Sequence, residues 1–254
     1  MVNRYRKIVA KTLALAGFAL IVSSPSNLQG GEFACQIIGV DKNAWILRGD
    51  TGVKITPVKP GDVLYYGDTL TVVRGNSVDV SFDAQKGNVF HIEGQTDIKI
   101  TKGLAKQLEM KEGRIFAFLD NPTADRNFKV VTPTAVAAVR GTRFSVQSSS
   151  AGPTHIATYE GSVQVRARDA EGKERKDYIV LRADNKTVIE ATESPVPLET
   201  LPLSTNDTRQ YRSAISTIEK TVAQSGVTKP DTATDGLVER VIVEEDPART
   251  KYLL

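Results

Sequence analysis

Between about residues 36 and 190, short β-branched or aromatic runs recur every eight to twelve residues, separated by Gly, Asp, Asn and Pro. That texture predicts strands, at 36–40, 44–47, 53–56, 69–73, 77–82, 88–92, 97–101, 114–119, 128–132, 135–139, 143–147, 155–159, 162–168, 178–181 and 187–190. In the fifth, Val78, Val80 and Phe82 share one side and Ser77, Asp79 and Ser81 the other, which predicts a sheet with one face on a core and one in water. Only Leu104 to Lys111 (LAKQLEMK) reads as a helical turn.

Turn chemistry punctuates the runs. Lys59-Pro60-Gly61-Asp62 and Tyr66-Gly67-Asp68 combine glycines with a turn-capping aspartate, and Gln85-Lys86-Gly87-Asn88 closes a hairpin between Phe82 and Val89. Glu112-Gly113 and Glu160-Gly161 each precede an apolar alternation, as two related hairpin units would. The expected domain, residues 36–192, is all-β: an antiparallel two-sheet sandwich or a roll of stacked hairpins.

After it the pattern changes period. Residues 193–206, with Pro195, Pro197 and Pro202, read as an extended linker. A C-terminal amphipathic helix is expected over 207–225, with Ser204 or Asn206 as N-cap and Gly226 just past its end. Tyr211, Ile215, Ile218 and Val222 form one apolar stripe on it. The stripe either packs back on the β-domain or docks a partner, which makes these four the candidate partner-binding residues. Residues 226–254 read as a loose tail in which only Leu237–Val243 (LVERVIV) is apolar.

The N-terminus has the three parts of an export signal: basic Arg4-Tyr5-Arg6-Lys7, an apolar run from Thr12 to Val22, and Ser24 and Ser26 at the −3 and −1 positions of a cleavage site. Residues 1–26 are the expected signal peptide; a retained signal anchor is the other reading. The apolar run is about half what a membrane span needs. Four of the 33 bases lie in this leader and no acid precedes Glu32, so 29 bases face 30 acids in the remainder. A nearly neutral chain has no field to draw in nucleic acid or an anionic membrane. The expected mature protein is periplasmic or otherwise exported, without a transmembrane segment. Cys35 follows Glu32-Phe33-Ala34, a poor lipidation box, and reads as a small buried thiol.

Candidate chemistry adds little. His91 and His155 are far apart, with one Cys in the whole chain, so no metal ligand set is expected. No nucleophile elbow, phosphate loop or dinucleotide fingerprint occurs, and no cofactor or catalysis is expected. Asp62, Asp68, Asp79 and Asp83 read as turn or wet-face acids. A glycan-cleaving enzyme would need two carboxylates brought into one cleft.

One stretch carries a resemblance. FKVVTPTAVAAVRGTRFSV from Phe128, followed by TYEGSVQVRA from Thr158, supplies Thr132, Pro133, Ala135, Val139, Arg140, Gly141, Thr142, Phe144 and Val146, then Glu160, Gly161, Ser162, Val163 and Val165. This resembles the FecR family of periplasmic domains, and Gly61-Asp62-Val63-Leu64 and Gly67-Asp68-Thr69-Leu70 are similar to its paired G-D-x-L elements. The motif residues suit structure: Pro133 cannot donate to a ladder, Gly141 permits a turn, and Arg140 either clasps turn carbonyls or projects to a partner. The resemblance implies an all-β fold and envelope signalling or protein contact without catalysis. Only eleven residues precede the apolar run of the leader, so a stand-alone exported form is expected, lacking the sigma-regulating cytoplasmic arm of the best-known members. The function expected is a protein-binding or scaffold module that meets another envelope protein. The alternatives are a sensing subunit acting in trans with a membrane protein and, more weakly, a glycan-binding or glycan-cleaving protein.

Overall fold

In the computed structural model, which describes residues 31–83, 87–103, 105–119, 128–139, 141–150, 152–190 and 198–225, the strands form two nine-stranded sheets. From edge to edge the first holds β18 (Leu201–Pro202), β17 (Asn185–Ile189), β14 (Thr154–Glu160), β13 (Arg143–Ser148), β10 (Gly113–Leu119), β7 (Asn88–Glu93), β6 (Ser77–Ser81), β1 (Phe33–Val40) and β4 (Val63–Tyr65). The second runs β16 (Ile179–Arg182), β15 (Ser162–Ala167), β12 (Ala135–Val139), β11 (Phe128–Val131), β9 (Lys106–Met110), β8 (Thr96–Lys102), β5 (Thr69–Val72), β2 (Ala44–Leu47) and β3 (Lys54–Ile55). One helix, α1 (Thr205–Gln224), follows them.

The fold class is the expected one, a mostly β chain in two sheets with a C-terminal helix. Neighbours are antiparallel except β9 and β11, which are joined through β10 in the opposite sheet, the crossover that a parallel pair requires. Much of the chain changes sheets two strands at a time, with β6 and β7 in the first, β8 and β9 in the second, β13 and β14 in the first and β15 and β16 in the second, while β1, β4, β5 and β10 cross singly. Sandwich and stacked hairpins are therefore two descriptions of one object. Period-two side chains from both sheets fill the space between them, including Phe90, Ile92, Phe144 and Val146 from the first and Leu70, Ile98, Leu108 and Phe128 from the second. Phe82, Phe90 and Phe128 meet with ring centroids 5.1–5.3 Å apart. Each such side chain contributes about 1.5–3 kcal/mol by leaving water.

Three expectations are corrected. The described part of Leu104 to Lys111 is the strand β9, not a helical turn. Its helix-forming residues are overridden by ladders to β8 and β11, with Leu108 and Met110 alternating into the core. The short β4 and β18 were not expected as strands. The outer face of the first sheet is not wet: β7 and β10 are buried over most of their length and Asp79 and Ser81 are buried beside them, because α1 lies across this face. Cys35 is a buried free thiol in β1, and burial beside Asp68 pushes its pKa up.

The leader, Arg140, Pro195, Pro197, Gly226 and the tail from 226 onward lie outside the described residues. Among the described residues no helix is long and apolar enough to cross a membrane.

Candidate functional site

The two halves of the T-P … R-G-T and E-G-S pattern meet at one corner of the sandwich. Gly141 (φ 60°) connects β12 in the second sheet to β13 in the first, and Gly161 (φ 78°) connects β14 back to β15. A side chain at Gly161 would stand 2.9 Å from the Gly141 carbonyl oxygen. Thr142 Oγ1 donates to the Ser162 carbonyl at 2.9 Å, and Arg143 pairs with Glu160 across the ladder at 3.1 Å. The corner is closed by backbone, so only glycine fits both requirements. At the other end of β12, Thr132 Oγ1 accepts from the Ala135 amide at 3.0 Å and joins Thr134 and Thr154 in a buried hydroxyl chain, with Pro133 in the turn. Ala135, Val139, Phe144, Val146, Val163 and Val165 point into the core. The pattern thus builds the sheet-crossing corners and the strands between them.

On the outer face of the first sheet a second cluster is assembled. Ser204 caps α1 and forms a reciprocal capping box with Asp207, which also pairs with Lys186 at 2.7 Å. Tyr211 stacks on Tyr159 at 4.0 Å between centroids and lies parallel to Phe118 at 5.9 Å. Ala214 and Ile218 are buried against Ile38, Val89, Phe116 and Phe118, with Ile215 and Val222 half-buried at the margins. All four residues of the predicted stripe, Tyr211, Ile215, Ile218 and Val222, therefore face this chain's own sheet. Near the C-terminal end of α1, Thr221 Oγ1 donates to Asp79 Oδ2 at 2.7 Å, and a side chain at Gly39 would lie 2.6 Å from the Thr221 methyl.

Beneath that contact lies a charged set that the sequence reading missed. Asp79 Oδ1 is 2.5 Å from His91 Nδ1, His91 Nε2 is 3.2 Å from Glu93, and Arg114 stands 3.8 Å beyond. Asp79 is not on a wet face, and His91 is 3% exposed. Burial opposes charge on the imidazole, but the hydrogen bonds and charges of Asp79 and Glu93 outweigh it and hold the pKa up at about 9. Burial would raise the Glu93 carboxyl, and His91 reverses this to a lowered value. The hairpin between β6 and β7 carries the signal one residue out of step: Phe82 opposite Val89 would set Asp79 opposite Ile92, and the observed pairing of Ser81 with Val89 sets it opposite His91.

Residues 68–164 match the family model described as FecR protein. This stretch is FecR-like. The match runs from Asp68 to Gln164 and contains both corner motifs and the Asp79–His91 pair, whereas α1 lies beyond it. Two crystal structures from Parabacteroides distasonis, each described as a "putative anti-sigma factor", are similar to this chain. The first is 16% identical with TM-score 0.46, covering 57% of this chain and 63% of its own; the second is 14% identical with TM-score 0.45, covering 61% and 74%. The chain thus spans somewhat under two thirds of the length of the first. No curated protein matches.

The opposite face of the sandwich carries a groove of about 570 Å³ on the second sheet, lined by Asp97, Lys99, Glu109, Lys111, Pro133 and Arg168 among others. Two carboxylates do share it. Asp97 accepts from Thr71 Oγ1 at 2.6 Å, and Glu109 accepts from Gln107 at 2.7 Å and Thr101 at 3.0 Å, with Lys99 opposite Glu109 in the ladder. Charges of alternating sign on a half-exposed sheet face are what cross-strand pairing favours. Asp68, expected as a turn or wet-face acid, is buried and accepts from Arg48 and from the Gly49 and Tyr65 amides. His155 is exposed in β14. Among the described residues no group of three or more His, Cys, Asp or Glu could hold a metal.

Proposed function

We propose that this protein is an exported, non-enzymatic regulatory module of the bacterial cell envelope that works by binding another envelope protein. The FecR match over 68–164 carries the reading, together with the use of its motif residues as corner and core. The leader and the neutral charge of the remainder support export and a protein partner. The contact is assigned to β16, the terminal strand of the second sheet, by strand addition. Tyr178 and Val180, 52% and 47% exposed, are the most exposed large apolar side chains among the described residues, and Arg166 lies 5.0 Å over the Tyr178 ring. A partner reading Tyr211, Ile215, Ile218 and Val222 would first have to lift α1 from the sheet.

Co-purification from envelope extracts tests this with the intact chain, Val180→Lys, and a chain lacking residues 204–254. The expected result is a defined envelope protein retained by the first and third and lost with Val180→Lys. Loss only without 204–254 moves the contact to α1, and no retained protein overturns the binding role. A complex that forms or dissolves with a stimulus identifies the sensing subunit acting in trans rather than a constitutive scaffold. Release of sugar from envelope glycan would refute the absence of catalysis.

A further inference from the structure

Beside the C-terminal half of α1 lies an apolar groove of about 300 Å³, walled by Val89 and Phe118 of the first sheet and by Ile215, Ile218 and Val222 of the helix. Arg143 and Glu219 also line it, one cation and one anion. The space equals roughly ten water molecules at ~30 Å³ each, and water gains few hydrogen bonds from such walls. We propose that the segment Leu237–Val243 of this same chain docks in the groove.

The length and the end point of α1 argue for this occupant. The helix ends at Gln224, and the Ser225 amide bonds to the Thr221 carbonyl, so the chain leaves within one turn of Val222 and Ala223, which line the groove. Twenty-nine residues follow, and LVERVIV is their one extended apolar run. Eleven residues (GVTKPDTATDG) separate it from Ser225. At random-coil dimensions eleven residues would span about 20 Å on average and give an effective concentration of about millimolar. An intrinsic affinity of only about 1 mM then fills the groove half of the time. Arg240 of the segment is opposite in sign to Glu219 of the lining, while Arg143 is already paired with Glu160. The inference does not depend on where an envelope partner binds.

Methyl NMR decides the matter, comparing residues 27–254 with chains ending at Asp246 and at Ser225 and with Val241→Asp/Ile242→Asp. The resonances of Val89, Ile215 and Val222 are expected to be the same in the first two and to shift in the others, with the core methyls of Val146 and Ile156 unmoved as a control for folding. Adding a synthetic peptide of residues 236–246 to the chain ending at Ser225 should restore them, with saturation at about millimolar. Groove resonances identical in all four chains overturn the proposal. Shifts that vanish on dilution assign the groove to a second copy, and shifts already present in the chain ending at Asp246 assign it to Tyr252–Leu254; either result also overturns it.

Discussion

Raising the pH should loosen the first sheet through His91. The imidazole titrates at about 9 in the folded chain against an ordinary value of 6.5. A folded value above the unfolded one means that the contribution to stability is complete below 6.5 and is lost as pH climbs through 9. At 1.36 kcal/mol per pH unit, the gap corresponds to ~3 kcal/mol. Against a typical total of about 5–15 kcal/mol this is a large fraction. Glu93, whose value is lowered, acts at the other end: its contribution is present above the ordinary carboxylate range and is lost as pH falls through its folded value. Cys35, whose thiol is also raised, costs stability once the unfolded thiol ionises near its ordinary 9.0, and the raised tyrosines Tyr66, Tyr159 and Tyr211 follow near 10 and above, so the window from 6.5 to about 8 reports His91. The assay is urea unfolding at half-unit pH steps, for the unmodified chain and for His91→Gln. The midpoint of the unmodified chain should fall steadily across the window with an unchanged slope m, while His91→Gln is less stable at pH 6.5 and nearly flat. Parallel pH profiles for the two chains would refute the reasoning, because the loss would then belong to groups other than the imidazolium held between Asp79 and Glu93.

Gly161→Ala should cost about 1–3 kcal/mol in chemical unfolding, since it combines a positive φ with a 2.9 Å approach to the Gly141 carbonyl. Gly61→Ala, at φ 99° with open space around it, should cost only about 1 kcal/mol, and equal losses would remove the packing part of the argument. Gly39→Ala pushes on Thr221 and Asp79, so hydrogen exchange in the last two turns of α1 should accelerate while β13 and β14 stay protected. Ser204→Ala removes half of the capping box and should weaken α1 by about 1 kcal/mol, read as faster exchange in its first turn.

The β-branched alternation between Cys35 and Glu190 was enough to announce two facing sheets, because only a pleated ladder places every second side chain in one core. The hairpin was legible as well, but not its register: closure between Phe82 and Val89 sets Asp79 opposite Ile92, and only the ladder, with Ser81 opposite Val89, brings Asp79 to His91. The corner glycines could be read as turns, but not as partners, since Gly141 and Gly161 meet only when β13 and β14 pair. LAKQLEMK shows where local preference ends: its residues favour a helix, and the neighbouring strands β8 and β11 supplied the hydrogen bonds that made it a strand.

What composition and periodicity determined by themselves was the β class, the capped terminal helix and its apolar stripe. Tertiary structure decided what that stripe covers. Ser77, Asp79 and Ser81 alternate as a water-facing row should, yet α1 arrives from more than a hundred residues away and buries two of them. A polar residue under a helix and a polar residue in water look the same in one dimension. The difference is whether its hydrogen bonds go to protein or to solvent, and only the packing of distant elements settles that.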